Sequence, residues 1–198
     1  FRKNSKKLYL IIFLIVIWGA GQYLKSIEWS KPIGETVSTS LIQGNISQDK
    51  KWNKNMINES LDRYQKLILD SDASLIVLPE TSIPIETHKI PKSFMKKIKG
   101  HIAHNDGHII LGAIEASIDG HYNSAWLIGK DYEALYRKNH LVPFGEFIPF
   151  EKYLGYVYQN WLNIPFANLS RGKQKSVALF KIKGLGYAIN ICYEDVFG

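Results

Sequence analysis

The sequence predicts a layered α/β fold, with helices outside a mixed sheet, preceded by one transmembrane helix. Three observations lead to this prediction. An uncharged apolar run of 17 residues lies near the start of the chain, at 8–24. Apolar runs of strand length then alternate with amphipathic segments of helical length, and a series of strand-like segments follows. Alternation of strands and helices is typical of α/β proteins, in which helices cover the faces of a sheet.

The apolar run at 8–24 has the length and the flanks of a membrane-spanning helix. At about 1.5 Å per residue it reaches roughly 26 Å, close to a hydrocarbon core of about 30 Å. Four basic residues precede it and fewer follow it closely, which places the preceding end in the cytoplasm and the rest outside. The alternative is a secretory signal peptide, because a basic stretch, an apolar run and the small residues 19–21 are all present. We favour the membrane helix, since the run is longer than the apolar part of most signal peptides.

We therefore divide the chain into a membrane region, residues 1–28, and a domain over residues 29–198. Because the chain begins with Phe1 rather than Met, we expect it to be a piece of a longer protein.

The first half of the domain alternates strands and helices. Residues 36–45 predict a first strand, and the apolar run at 74–79 predicts a second strand buried on both faces. Between them, residues 52–70 carry apolar side chains at helical spacing, which indicates an amphipathic helix. A second helix is predicted over 91–104, with Pro91 near its start.

The second half of the domain is predicted to be mostly strand. The predicted strands are 108–115, 122–129, 133–138, 176–184 and 185–194. A Pro- and Gly-rich loop, "YRKNHLVPFGEFIPF" at 136–150, and a short helix near 151–162 interrupt this series. The loop mixes ionisable groups with aromatic residues, which neither a solvated loop nor a core segment requires.

Charge and cysteine count restrict the classes of function. The formal net charge is +7, from 25 basic and 18 acidic residues. Only four of the basic residues are Arg and the Lys residues are scattered, so we expect solvated faces and no nucleic-acid partner. The single cysteine excludes an intrachain disulfide and a cysteine-based zinc site. His101 and His104 lack a nearby acidic third ligand, so we expect neither a metal nor a cofactor.

Three predicted strands end in a residue with reactive chemistry. Glu80 follows the strand at 74–79, Lys138 ends the strand at 133–138, and Cys192 lies near the end of the last strand. In layered α/β proteins, functional groups collect just beyond strand ends. Each residue alone has an ordinary structural explanation, since a lone Cys is usually a small buried hydrophobe and terminal Glu or Lys usually face water.

Together the three residues are sufficient for acyl transfer. A carboxylate can accept the proton of a thiol, and the resulting thiolate is a nucleophile that forms a thioester. An ammonium, assisted by a backbone N–H after the cysteine, can stabilise the oxyanion of the tetrahedral intermediate. The sequence therefore predicts a cysteine acyl-transfer site in which Glu serves as the base.

Four segments carry a resemblance to a known family. They are "IQGNISQDKKW" (42–52), "LPETSIP" (78–84), "YRKNHLVPFGEFIPF" (136–150) and "ICYE" (191–194). Glu, Lys and Cys at successive strand ends resemble the nitrilase, or carbon–nitrogen hydrolase, superfamily. The amino-acid sequences of the four segments are similar to those of the apolipoprotein N-acyltransferase family within this superfamily, and the resemblance runs over about residues 41 to 195. The fold implied is a nitrilase-like α-β-β-α layered sandwich, of which residues 29–198 are the N-terminal part of the catalytic domain.

The resemblance also implies roles for individual residues. Glu80 corresponds to the general base, Lys138 to the oxyanion stabiliser and Cys192 to the nucleophile. Supporting or substrate-binding positions of the family match Trp52, Glu146, Tyr193 and Glu194. We interpret residues 139–150 as a rim loop whose Phe144 and Phe147 contact lipid or an acyl chain, with packing within the domain as the alternative.

The family implies two substrates and a location. Its acyl donor is a phospholipid, typically phosphatidylethanolamine, and its acceptor is the α-amine of the diacylglyceryl-modified cysteine that begins an apolipoprotein. Its members are multi-pass proteins of the bacterial inner membrane, with the catalytic domain on the periplasmic side.

One departure and two alternatives accompany this interpretation. The family continues beyond the cysteine with more catalytic domain and a further membrane helix, whereas this chain ends at Gly198, so we expect a fold incomplete at the C-terminus and an inactive isolated fragment. The alternatives are a membrane-anchored nitrilase-like amidase that hydrolyses a small amide, and a non-catalytic membrane-associated binding module.

Overall fold

The computed structural model describes residues 2–47, 51, 54–147, 149, 169–173 and 180–197. The chain forms two units, Phe1–Thr36 and Val37–Gly198.

The first unit consists mainly of one long helix, α1 (Arg2–Lys25). Its stretch Lys6–Lys25 has a mean hydropathy of 1.7, and none of that stretch is buried within the chain. Within the described residues this is the one helix long and apolar enough to cross a membrane. The predicted span at 8–24 lies inside it.

The second unit contains the remaining regular elements. In chain order they are β1 (Thr39–Leu41), α2 (Lys54–Leu69), β2 (Leu75–Val77), β3 (Ile83–Glu86), a 3₁₀ turn (Thr87–Lys89), α3 (Lys92–His104), β4 (His108–Ser117), β5 (Gly120–Ile128), β6 (Glu133–Arg137), β7 (Phe180–Ile182), β8 (Leu185–Tyr187) and a 3₁₀ helix (Cys192–Phe197).

Strands β1 to β6 form a mixed sheet in the order β1-β2-β4-β5-β6, with β3 also paired to β4. Strands β2 and β3 both run parallel to β4, β2 beside its first residues and β3 beside Ala113 and Ile114. Strand β5 is antiparallel to β4 and β6 is antiparallel to β5. Strands β2, β4 and β6 therefore point the same way, so their carboxyl ends meet at one edge of the sheet.

The two faces of this sheet are covered differently. Helices α2 and α3 pack on one face, where apolar residues of both helices join those of β2, β3 and β4; these buried residues include Leu61, Ile68, Phe94, Ile98, Ile102, Ile76, Ile83, Ile109 and Leu111. Strands β7 and β8 form a separate two-stranded sheet. Phe180 and Ile182 of β7 pack against the other face of the main sheet. The described residues thus form a helical layer, a main sheet and part of a second sheet, in agreement with the predicted layered fold.

Two strand predictions need correction. Strand β3 was not predicted, because Pro84 lies in a short segment with weak strand character. The last predicted strand, 185–194, is a strand only over Leu185–Tyr187, so Cys192 does not end a strand but opens a 3₁₀ helix. The predicted helix near 151–162 and the first residues of the strand at 176–184 lie outside the described residues.

A tight turn separates β2 from β3 and presents Glu80. The chain leaves the sheet at Leu78, and the N–H of Ser82 donates to the carbonyl of Pro79 at 3.1 Å. Thr81 adopts a left-handed conformation, with φ of 46°. Gly112 of β4 lies directly beneath, where an added Cβ would be 2.5 Å from both the Pro79 oxygen and the Thr81 nitrogen. Only glycine fits there without moving the turn.

Replacement of Gly112 by alanine tests this close approach. We expect Gly112→Ala to lower the free energy of unfolding of the full-length protein by about 1–3 kcal/mol, because the backbone must shift to admit a methyl group. The matched control is Gly100→Ala in α3, where an added Cβ meets nothing within 4 Å and alanine should stabilise the helix by about 0.5–1 kcal/mol. Thermal unfolding in detergent measures both, and equal midpoints for the two variants would contradict the prediction.

Candidate active site

Lys138 is a buried cation held at the edge of the sheet. It directly follows β6, and its side chain is 1% exposed. Its backbone N–H donates to the Asn123 carbonyl of β5 at 2.8 Å. Its ammonium Nζ lies 3.3 Å from Glu80 Oε1 and 3.0 Å from both oxygens of Glu146. Because a buried charge requires such partners, these two carboxylates are necessary companions of the lysine.

The pKa of Lys138 reflects a competition between burial and these partners. Burial is the largest influence and lowers the pKa by disfavouring the ammonium, but the hydrogen bonds that the ammonium donates to Glu146 and Glu80 and the charges of both carboxylates together outweigh it. The net effect raises the pKa above its usual value of 10.5. The lysine is therefore charged at neutral pH, and its contribution to stability, complete below pH 10.5, is lost as pH rises through the raised pKa.

Glu146 of the rim loop is fully engaged by its neighbours. Its Oε1 accepts hydrogen bonds from Lys138 and from the Asn123 side chain, the latter at 2.9 Å. Its Oε2 lies 3.0 Å from the ammonium and accepts the N–H of Val142 at 2.8 Å. The loop N–H of Leu169 also donates to its backbone carbonyl, at 3.0 Å. The carboxylate thus ties the rim loop to the buried lysine.

Glu80 is more open than Glu146. Its side chain is 34% exposed, and its Oε1 accepts hydrogen bonds from both Lys138 and Asn123. No described residue donates to its other oxygen, Oε2. One oxygen is therefore fixed, while the other is available to a group in the adjoining cavity.

A second lysine supports the turn that carries Glu80. The ammonium of Lys51 donates to the Glu80 carbonyl at 3.1 Å and to the Thr81 hydroxyl at 2.6 Å. Burial lowers the pKa of Lys51, and the charge of Glu80 partly offsets this effect. These hydrogen bonds link Lys51 to the backbone and side chain of the turn.

Glu80 and Cys192 line the same cavity. The cavity has a volume of about 270 Å³, with walls from the ends of β2, the middle of β4 and β5, and residues 188–192. Cys192 is exposed and has a positive φ of 53°, a conformation that non-glycine residues adopt only where the surroundings impose it. The thiol and the carboxylate thus share one solvent-connected space.

The carboxylate of Glu194 joins the segment before Cys192 to the segment around Lys138, and we call this set of hydrogen bonds the Glu194 clasp. Glu194 is buried, with a residue exposure of 4%. Its Oε1 accepts the Tyr136 hydroxyl at 2.8 Å and the N–H groups of Asn139 and His140 at 2.6 and 3.0 Å. Its Oε2 accepts the N–H of Ile191 at 3.0 Å. These bonds join residues on both sides of Lys138 to the residue before Cys192.

The clasp also changes the titration of Tyr136. Burial, followed by the hydrogen bond and the charge of Glu194, raises the pKa of this phenol to about 12. The phenol stays protonated as the donor at neutral pH. Its contribution to stability is complete below the usual tyrosine pKa of 10.0 and is lost as pH rises toward 12.

The remaining predicted site residues are placed as follows. Tyr193 is exposed and packs edge-on against Phe197, whose ring stacks on His140 at 4.3 Å between centroids. In the rim loop Phe144 is exposed and Phe147 half-buried. Trp52 lies outside the described residues.

The structure thus brings Glu80, Lys138 and Glu146 into direct contact and places Cys192 in the cavity that Glu80 lines. The structure also adds Asn123 to the site, a residue that was not predicted from the sequence. Its signal was a polar residue in the apolar strand "YNSAWLIG" (122–129).

A layered α/β fold with a carboxylate and an ammonium at one sheet edge, and a cysteine in the cavity that the carboxylate lines, defines a class of protein with a nitrilase-like architecture. The Carbon-nitrogen hydrolase family model matches residues 38–198. The chain therefore belongs to the carbon–nitrogen hydrolase family.

Curated relatives give a narrower likeness. The chain is 38% identical over 184 residues to an apolipoprotein N-acyltransferase of Nitrosomonas europaea, with 92% of this chain and 37% of the relative covered. It is 33% identical over 196 residues to that of Chromobacterium violaceum, with 98% of this chain and 37% of the relative covered. The chain thus spans a little over a third of the length of these relatives.

A solved structure supports the fold. A CN-hydrolase superfamily protein from Xanthomonas campestris, solved with an arsenic adduct in its active site, is similar with a TM-score of 0.57 and 19% identity. The match covers 82% of this chain and 55% of that protein.

The Glu194 clasp can be tested by removing its charge without changing its size. We expect Glu194→Gln to destabilise the full-length protein by about 2–4 kcal/mol, because an amide NH₂ replaces an acceptor that faces backbone donors. The control is Asp195→Asn, the corresponding change at the adjacent exposed residue, which should stay within about 0.5 kcal/mol of the parent. Thermal unfolding measures both variants, and a similar small effect from Glu194→Gln would show that the clasp is dispensable.

Proposed function

We propose that the full-length protein is a membrane acyltransferase that carries an acyl chain from a phospholipid to an apolipoprotein. The acyl chain would pass through a thioester on Cys192 to the α-amine of the N-terminal diacylglyceryl-cysteine of the apolipoprotein. The observation that carries the proposal is that Cys192 and the half-exposed Glu80 line one cavity, with a buried ammonium against Glu80. The name shared by the relatives, apolipoprotein N-acyltransferase, supplies the substrate class.

The first half-reaction forms the thioester. Glu80 takes the thiol proton of Cys192 on Oε2, the oxygen that no described residue occupies. The thiolate attacks the ester carbonyl of the phospholipid, so that a C–S bond forms and the carbonyl oxygen becomes an oxyanion. The positive charge of Lys138, assisted by the backbone N–H after the cysteine, stabilises this oxyanion. Collapse breaks the C–O bond, and the leaving lysophospholipid oxygen takes the proton from Glu80.

The second half-reaction transfers the acyl chain to nitrogen. The neutral α-amine of the acceptor attacks the thioester carbonyl, and Glu80 takes a proton from that amine. The C–N bond forms and the C–S bond breaks, and the leaving thiolate takes the proton from Glu80. Atoms and charges balance over the two steps, and Cys192 ends as a thiol. Phosphatidylethanolamine is the donor that we propose.

The rim loop is proposed to keep water away from the thioester. The side chain of Phe144 is 47% exposed, which supports contact with an acyl chain, whereas Leu141 is buried and belongs to the core. Glu146 anchors this loop to Lys138 and uses both oxygens in doing so, which suits positioning rather than proton transfer. Exposed Tyr193 and, by family resemblance, Trp52 are proposed to contact substrate.

The location that we propose is the bacterial inner membrane. In the sequence, basic residues are concentrated before the apolar part of α1, which favours a cytoplasmic N-terminal side and a periplasmic catalytic domain. The full-length protein is proposed to be multi-pass on the basis of the family resemblance.

The test uses the full-length protein in membranes, supplied with phosphatidylethanolamine labelled in one acyl chain. We expect label on the protein that neutral hydroxylamine removes, since thioesters are cleaved by it and amides are not. The label should map by mass spectrometry to the peptide containing Cys192. Cys192→Ser should carry no hydroxylamine-labile label, and addition of a diacylglyceryl-cysteine peptide should discharge the label from the parent onto that peptide.

Three results would contradict the proposal in different ways. No adduct on a folded protein with intact donor would remove the phospholipid acyltransferase and favour hydrolysis of a small amide. An adduct that water discharges as fast as the peptide amine would also indicate a hydrolase. A Cys192 thiol that reacts with an alkylating reagent no faster than free cysteine would instead favour a non-catalytic binding module.

A further inference from the structure

Asn123 is an uncharged residue at the centre of the charged cluster. It lies in β5, opposite Ile114 of β4, and is 3% exposed. Its side-chain NH₂ donates to Glu80 Oε1 at 2.5 Å and to Glu146 Oε1 at 2.9 Å. Its backbone carbonyl accepts the N–H of Lys138. One residue therefore contacts all three members of the cluster.

The charges of the cluster explain why an amide is suited to this place. Two carboxylates share one ammonium there, which leaves a net negative charge. Ionised carboxylates only accept hydrogen bonds, and like charges close together repel each other. The NH₂ group of Asn123 offers one hydrogen to each carboxylate and so bridges them without adding charge.

The bridge also distinguishes the two oxygens of Glu80. Asn123 and Lys138 both donate to Oε1, and within the described part of the chain nothing donates to Oε2. Rotation of the carboxylate would break both bonds at Oε1. The amide orientation is itself fixed, because a flipped amide would point its oxygen at two carboxylates.

We propose that Asn123 is a positioning residue for Glu80, which holds Oε1 so that Oε2 remains the proton acceptor for the thiol of Cys192. This inference rests on the proposed function, because it takes Glu80 as the base that activates the cysteine. Asn123 does not touch the reacting atoms and acts through Glu80.

Two substitutions separate positioning from simple packing. Asn123→Leu is similar in size but offers no hydrogen, so the fixed orientation of Glu80 is lost at every pH. Asn123→Asp has almost the same shape and can donate only when protonated. The groups facing it are Glu80 and Glu146, which raise its pKa, and Lys138, which lowers it, with Lys51 beside the Glu80 turn. Two negative neighbours against one direct positive neighbour favour the protonated form at acidic pH.

The experiment measures the rate at which iodoacetamide alkylates Cys192 in the full-length protein in membranes, from about pH 5 to about pH 9. Mass spectrometry of the peptide containing Cys192 reports this rate without any lipid substrate. Rates are expressed relative to the parent at the same pH, which removes the ordinary pH dependence of the reagent. Glu80→Gln is included as the reference for loss of the base.

We expect Asn123→Leu to be alkylated at least about tenfold more slowly than the parent at every pH, since a positioned base contributes a factor of this size or more. Asn123→Asp should be similarly slow at high pH and approach the parent as pH falls. A residue that only packs the core would give the same relative rate at all pH values. The control changes Asn58→Leu and Asn58→Asp, at an exposed position of α2, should leave the rate unchanged.

Each result decides between defined alternatives. If Glu80→Gln slows alkylation but Asn123→Leu stays within about twofold of the parent, the positioning role is overturned and the proposed function stands. A relative rate of Asn123→Asp that does not depend on pH also overturns it, even where Asn123→Leu fails to fold. If Glu80→Gln itself leaves the rate unchanged, Glu80 is not the base, and both the positioning role and the proposed mechanism are wrong.

Discussion

The buried ammonium of Lys138 is the interaction on which the rest of the site depends. An ammonium whose side chain is 1% exposed is stable only where carboxylates replace the lost water. Glu80 arrives from the turn after β2, and Glu146 arrives from the rim loop. Removal of a partner from a buried ion pair costs about 3–5 kcal/mol. The lysine therefore determines where the turn and the loop must lie.

The contacts that hold the turn and the loop around Lys138 follow from this constraint. The turn can approach β4 closely because Gly112 has no side chain. The ammonium of Lys51 stabilises the turn by donating a hydrogen bond to the Glu80 carbonyl. The Glu194 clasp fixes the backbone around Lys138 against the segment that carries Cys192. Among the described residues, the result is a cluster in which both oxygens of Glu146 and Oε1 of Glu80 accept hydrogen bonds, whereas nothing donates to Glu80 Oε2. A site built in this way suits proton transfer at one defined atom.

Much of this arrangement was predictable because it depends on local pattern. An apolar run followed by Glu80, and a strand that breaks at Lys138, are visible in the sequence and place both residues at strand ends. The structure confirms the layered fold. The resemblance to known sequences added Glu146 and Glu194, whose importance no periodicity indicates.

The rest could not be predicted because it depends on register and on long-range hydrogen bonds. Asn123 meets Glu80 and Glu146 only because β5 pairs with β4 and β6 in one particular register. The last strand ends early, since Glu194 binds the N–H of Ile191 and the chain turns into a 3₁₀ helix at Cys192. Neither the contacts of Asn123 nor that of Glu194 can be predicted from the neighbouring residues in the sequence.

The most direct test of this account is a double-mutant cycle on the buried pair, with Lys138→Met, Glu146→Gln and the double variant. Unfolding of the full-length protein gives the free energy of each. We predict that each single change costs about 3 kcal/mol or more, and that the double variant costs less than their sum by about 2 kcal/mol. Costs that add within about 0.5 kcal/mol would mean that the two side chains do not interact, and the account would be wrong.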